Sequence, residues 1–390
     1  MDPDPMIANA FRLSRAPVAA LTSIGVIWGG FAGVVPDLKT AVGASEAELG
    51  MALLGSAIGA MVSMYLAPRL MQALGRRALP LLGLALTAAV FYPFLAPSVG
   101  ALALAMFAMG ASVSMLDITA NVRISGLESR HGLHLMNLNH AMFSVGFAGA
   151  ALVTGLARKA GLGPWDIQPW LALLCLGLTV VMWEGAGRLS PAEPQAETVP
   201  AGLPWMAILL TGAILFAGFV GENATEAWSA LHIEQTLGAP AGQGSFGPFG
   251  LGVTMAVGRF SGQFVASRIG EARLILVSAL LGVVGALTLA LAPVPGVAFV
   301  GVGLIGLGMA VIVPSVNSIL GRAVREEARA VAISRAWMIG MIGFFLGPAM
   351  MGGVAELTSL RWSFAVVALV VAGIVPAVRM LDRRVRAARG

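Results

Sequence analysis

"RLMQALGRRALPLLGLAL", residues 69–86, sets a basic turn centred on Gly75 between two apolar runs, and "FVASRIGEARLILVSALL", residues 264–281, repeats that design around Gly270. The two glycines stand 195 residues apart, and the same offset carries His140 onto Arg335. A repeat on that scale points to a duplicated half. Around these turns the chain of 390 residues is 58% hydrophobic and 11% charged, with a mean hydropathy of +0.87, a balance that soluble domains do not carry. Windows of about 20 apolar residues, the length that crosses a bilayer, can be marked along almost all of it.

The windows predict an all-α integral membrane protein with twelve transmembrane helices. They fall near 16–36, 48–68, 78–96, 100–122, 135–158 and 167–186, then near 204–226, 247–267, 272–292, 296–320, 330–354 and 360–380. Between the sixes lies "GRLSPAEPQAETVPAGLP", residues 187–204, the one long polar, proline-rich stretch, which reads as a flexible linker. The expected organisation is an N-terminal six-helix half over 1–186, a linker over 187–203 and a C-terminal half over 204–390, related by pseudo-symmetry.

Lysine and arginine fix the expected orientation. With the N-terminus inside, most of the 24 basic residues fall on the cytoplasmic side, among them Arg69, Arg76, Arg123, Arg268, Arg322 and the tail from Arg379, while Lys39, Arg158, Lys159 and Arg361 fall outside. Both termini are therefore expected in the cytoplasm. Because the net charge of +5 is scattered over helix ends rather than gathered in a patch, it does not describe a nucleic-acid binder. A single cysteine, Cys175, excludes an internal disulfide and a cysteine metal cluster. Arg12 and Arg15 precede the first apolar run with no small-residue cleavage site behind it, so it reads as an uncleaved helix.

Ionised groups at bilayer depth cost at least about 2.5 kcal/mol and persist only where they face protein or water. Asp117, Glu222, Arg259 and Arg335 lie inside the predicted spans. As paired braces they would simply tie helices together; as a relay they would couple solute movement to protons. Asp117 is the leading candidate for the second role, with Glu222 and Arg259 beside it. In "SMLDITANVR", residues 114–123, Ser114 and Asn121 share its helical face, and a carboxyl partly withdrawn from water suits proton uptake and release as its access alternates. Arg259 could be the counter-ion of Asp117 or of Glu222, or a fixed clamp.

Candidate substrate-binding groups are Asn121, Asn137 and His140 around the fourth and fifth helices, Asn223 and Trp228 in the seventh and Asn317 in the tenth. Trp228 could stack on a ligand but reads first as an interfacial anchor. Glu226 stands one turn beyond Glu222 on the same face. Arg335 and Arg123 are candidate gating residues. His131 and His134 have metal-ligand spacing, but no carboxylate or cysteine completes a site, so no metal and no cofactor are expected. Gly55 and Gly59, Gly146 and Gly149, and Gly340, Gly343 and Gly347 recur at helical spacing and let helix backbones approach closely.

These features together resemble a known family. The basic turns "APRLMQALGRR" and "GQFVASRIGEAR" are similar to the loop signature of the major facilitator superfamily, although neither holds the usual aspartate. "LDITAN" (116–121) and "NLNHAMFSVG" (137–146) look like the fourth and fifth helices of fucose-permease-like transporters. "VPDLKTAVGASEAELGMALL" (35–54) and "ENATEAWSAL" (222–231) look like a bacterial branch of that group, with Ala227 where the branch has aspartate. The resemblance implies the two-half major facilitator fold, Asp117 as the proton-titrating acid, and Asn121, Asn137 and His140 near the substrate path.

The expectation is thus a secondary transporter of the bacterial inner membrane, monomeric, partnered by lipid, protons and a small polar solute. The alternative is a proton-driven exporter of amphipathic compounds, to which eight tryptophans and 17 phenylalanines would be suited. An enzyme is not expected: H-E-x-x-H, the Gly-x-Ser-x-Gly elbow and a nucleotide loop are all missing.

Overall fold

In the computed structural model the described residues are 10–131, 135–184 and 203–387, excluding the side chains of Ser129, Asn137, Gln263, Phe264, Glu326, Glu327, Ala330 and Ala387. Residues 187–202 of the expected linker, and His134, lie outside them. The described secondary structure is helical throughout.

The N-terminal helices are α1 (Arg15–Val42), α2 (Glu46–Leu74), α3 (Ala78–Ala89), α4 (Val99–His131), α5 (Met136–Lys159) and α6 (Pro164–Val181). Next come α7 (Trp205–Leu231), α8 (Phe246–Ile269), α9 (Glu271–Leu291), α10 (Pro295–Met309), α11 (Ile312–Ala323), α12 (Glu326–Leu357), α13 (Leu360–Ala372) and α14 (Ile374–Ala387). Each of the twelve predicted spans falls on one of these helices or on a broken pair of them. Ten stretches among the described residues are long and apolar enough to cross a membrane; the 50-residue one, Glu46–Leu95, holds both α2 and α3, while α8, with Arg259 and Arg268, is not among the ten.

Breaks inside the predicted spans have one physical cause. α3 stops at Ala89, the break after α10 includes Ala310, and α13 stops at Ala372. Each of these residues stands four before a proline, Pro93, Pro314 or Pro376, whose ring nitrogen has no hydrogen to give the carbonyl one turn back. Elsewhere Pro36, Pro68, Pro169 and Pro348 are accommodated inside helices. Gly75, at φ 53°, opens the 3-10 turn between α2 and α3, and Gly270, at φ 83°, separates α8 from α9, so the repeated glycines do the same work.

By backbone contacts the chain divides into two units, Met1–Ala44 with Met51–Gln195, and Ser45–Gly50 with Ala196–Gly390. In unit 1, α1 packs on α5 through glycines. A Cβ at Gly25 would lie 2.1 Å from the Phe143 carbonyl oxygen, one at Gly29 would lie 2.0 Å from that of Phe147, and one at Gly146 would lie 2.5 Å from that of Thr22. Similarly, α2 meets α4 where a Cβ at Gly59 would lie 2.1 Å from Phe107 O and one at Gly110 would lie 2.1 Å from Ser56 O. Lipid supplies no hydrophobic drive between helices, so such close approach is how they gain dispersion energy. Gly149 differs from the expectation, since a Cβ there would meet nothing within 4 Å.

In unit 2, α7 packs along α12 in the same way. Gly212 faces Ile339, Gly340 faces Leu215, and a Cβ at Gly343 would stand 2.3 Å from Phe216 O.

Candidate functional site

In unit 1 the polar stripe of α4 is ordered by its own helix and its neighbours. Ser114 Oγ donates to Ala60 O of α2 at 3.4 Å, and Asp117, one turn on, is half-buried. Asn121 joins two helices: its Nδ2 donates to the Asp117 carbonyl at 2.9 Å, while its Oδ1 stands 3.2 Å from His140 Nε2 on α5. Sequence spacing alone put Asn121 and Asp117 on one face; the structure adds His140 as the group across from them. The side chain of Asn137 lies outside the described residues, although its backbone is in the first turn of α5.

Two other charges of unit 1 are committed to braces. Arg123, 8% exposed, donates from Nε to Glu184 Oε2 at 2.7 Å and so ties α4 to the residues after α6. Arg158, expected toward the outer side at the end of the fifth span, is in the last turn of α5 and only 4% exposed. Its Nε and Nη2 donate to Asp37 of α1 at 2.6 and 2.8 Å, and its Nη1 donates to Gly33 O at 2.9 Å. This fork geometry is what guanidinium and carboxylate planes favour. The sequence placed Asp37 and Arg158 toward the same side of the membrane, yet nothing in their spacing announced the pair.

In unit 2, Glu222 on α7 stands 3.5 Å from Arg259 Nη2 on α8, with 25% and 42% of the two side chains exposed. Of the two counter-ion readings, the pair with Glu222 is the one formed within this unit. Glu226 is half-buried on the same face and has neither a hydrogen bond nor an ion pair within 4 Å among the described residues. The amide oxygens of Asn223 and Asn317 are buried and accept no hydrogen bond from the described residues. Arg335, half-buried on α12, has Nη1 3.8 Å from Met338 Sδ.

Trp228 departs from the interfacial reading. It is fully buried in unit 2, and its Nε1 has no hydrogen-bond partner among the described residues. Counting from Glu222, six residues turn the helix by about 600°, which swings this ring roughly 120° off the acidic face and into helix packing.

Beyond Trp228, sequence reading missed how the end of α7 is built. A π-turn, His232–Thr236, follows the helix; His232 is fully buried, with Nε2 3.1 Å from Leu289 O and its ring 5.2 Å from that of Phe364. Glu234 Oε1 then accepts from the Gly242 and Gly244 amides at 2.9 and 3.1 Å, which holds the following loop in shape. The one sequence signal here was a lone histidine in an apolar context, which favours core packing over chemistry. No group of three or more histidine, cysteine, aspartate or glutamate residues among those described could hold a metal ion.

Comparison with known proteins agrees with this architecture. The model of the Major Facilitator Superfamily matches residues 18–303 and 210–389. The chain is 27% identical over 365 residues to an uncharacterized MFS-type transporter of Yersinia pestis, spanning 92% of this chain and 93% of that one. Among solved structures it is similar to the D-xylose-proton symporter, with a TM-score of 0.73 and 17% identity over 95% of this chain and 97% of that one. It is similar also to a mutant form of the nucleoside transporter NupG, with a TM-score of 0.75 and 15% identity over 94% and 99%. Ten candidate membrane spans among the described residues, a repeat about the two glycine turns and a family match along nearly the whole chain lead to one conclusion: this protein is a multi-pass membrane transporter of the Major Facilitator Superfamily.

Proposed function

We propose that the protein moves a small polar solute across the bacterial inner membrane by alternating access, coupled to protons through Asp117, in the manner of the fucose-permease-like branch it resembles. The observation that carries the reading is the Asp117–Asn121–His140 arrangement. A half-buried acid in the middle of an apolar helix is followed, one turn on, by Asn121, whose amide nitrogen bonds the Asp117 backbone carbonyl while its amide oxygen faces the His140 imidazole on the next helix. An acid that must be neutral when dehydrated and charged when hydrated can carry a proton between two water-exposed states. Asn121 and His140 then supply a donor and acceptor pair for a polar solute beside it, with Asn137 close in sequence.

Glu222 and Arg259 form the second charged centre, where an ion pair can hold the acid ionised until the pair opens. Arg123 and Arg335 are the proposed gates, Arg123 acting by release from Glu184. Both termini are placed in the cytoplasm by the distribution of basic residues, and the transporter acts as a monomer. The sugar and nucleoside carriers of similar fold are polar-solute transporters by name, which supports screening solutes of that polarity first.

Thermal-shift screening of the purified protein against sugars, nucleosides, amino acids and lipids at two pH values identifies the solute, because a ligand that prefers the folded state raises its melting point. In proteoliposomes an imposed pH gradient should then drive accumulation of that solute by the wild type. Asp117→Asn should only equilibrate it. Full accumulation by the variant would remove Asp117 from the coupling step.

A further inference from the structure

On α7, Phe219, Glu222, Asn223 and Glu226 follow one another at spacings of three, one and three, so they form a single stripe along one face. Its polar members are short of donors. Among the described residues Glu226 has no hydrogen bond and no ion pair within 4 Å, the Asn223 amide oxygen accepts no hydrogen bond, and the one ion pair of Glu222 is with Arg259, at 3.5 Å. Amide and carboxyl oxygens are satisfied chiefly by donors, and two acidic side chains stand here against one guanidinium, so the stripe has one more acid than base.

Arg335, half-buried on α12, does not redress this. Gly347 is the residue of α12 that lies beside Asn223, and Arg335 is twelve positions earlier, about 18 Å back along the axis at 1.5 Å per residue.

The inner end of the stripe is aromatic. The Phe219 ring lies 5.5 Å from that of Trp337 and 6.4 Å from that of Phe344, both on α12, with Trp337 and Phe344 half-buried. Seven residues separate Phe219 from Glu226, about 10 Å along the helix, which is the length of a ring-sized body plus a short polar head. Aromatic faces attract cations as well as covering apolar surface, so neither end of the stripe favours an anion.

We infer that the transported solute is an organic cation, its amine or ammonium group held at Glu226 with help from Asn223 and its body lying toward the Phe219–Trp337–Phe344 wall. The inference rests on the transporter reading above and narrows its solute class. Glu222, already facing Arg259, is left to the charge-coupling role, so the two acids divide the work.

Matched probes test this. Glucosamine is compared with glucose and glucuronate, and choline with its uncharged tert-butyl analogue, by thermal shift and equilibrium binding to the full chain in lipid nanodiscs near neutral pH. The cationic member of at least one set should bind at least about tenfold more tightly than its neutral partner. Glu226→Gln should abolish that preference, and Glu226→Asp, which keeps the charge on a shorter arm, should retain part of it. Tighter binding of the neutral or anionic member, no response to either cation, or an unchanged preference in a folded Glu226→Gln protein would overturn the inference. The two readings fail separately. Gradient-driven uptake of a neutral solute alone would sustain proton coupling and sink the cation assignment, whereas cation binding with no gradient-driven uptake would do the reverse.

Discussion

Asn121 is the residue through which the first charged centre is organised, because its two amide ends face different partners, the Asp117 carbonyl and the His140 ring. Asn121→Leu keeps the volume and removes both contacts. We expect solute affinity to fall at least about tenfold, the equivalent of one lost polar contact worth about 1.4 kcal/mol, with melting temperature little changed. Binding and thermal melting on one preparation check this. Arg158 should behave in the opposite way. It is buried, forked onto Asp37 and bonded to Gly33 O, so Arg158→Ala strands a carboxylate and a carbonyl. The expected loss is about 3 kcal/mol of stability, the low end for a broken buried pair because Asp37 keeps 33% of its side chain exposed. Denaturant unfolding of that variant and of Asp37→Asn measures it. Polar residues in an apolar run announce themselves in a sequence, which is why Asp117, Glu222 and Arg259 could be singled out. Their partners are set by how helices distant in the chain come together, so Arg158–Asp37 and Arg123–Glu184 were not legible.

Helices are held at contact distance by glycines, and this scale was the most legible. Gly55 and Gly59 pack against α4 as their spacing suggested, because the pattern of small residues is itself the packing surface. Gly149 shares the spacing and packs against nothing, so spacing names a candidate face and the partner helix decides its use. A leucine at Gly59 would drive its Cβ to 2.1 Å from Phe107 O, a contact that backbone must relieve. Gly59→Leu should cost at least about 1–3 kcal/mol and sharply reduce folded yield, while Gly149→Leu should be tolerated; fluorescence-detected size-exclusion profiles of the two distinguish them. The apolar windows marked each crossing but not its interruptions. Hydropathy averages over a span, whereas the breaks at Ala89, Ala310 and Ala372 come from one missing amide hydrogen each, at Pro93, Pro314 and Pro376.

Across the whole molecule, the repeat about Gly75 and Gly270 made the duplicated architecture readable, since a duplicated half must turn at corresponding places. The basic residues give the orientation a direct check: tags at the two ends of the chain should be cleaved by protease in inside-out vesicles and protected in right-side-out ones. The central claim is that Asp117 carries the proton that moves with the solute. The most direct measurement loads proteoliposomes with a pH-sensitive dye and adds the solute found by thermal shift, with no gradient imposed. Wild-type protein should shift the internal pH as solute moves, and Asp117→Asn should move solute with no pH change. Proton flux in the variant at the wild-type rate would contradict the account.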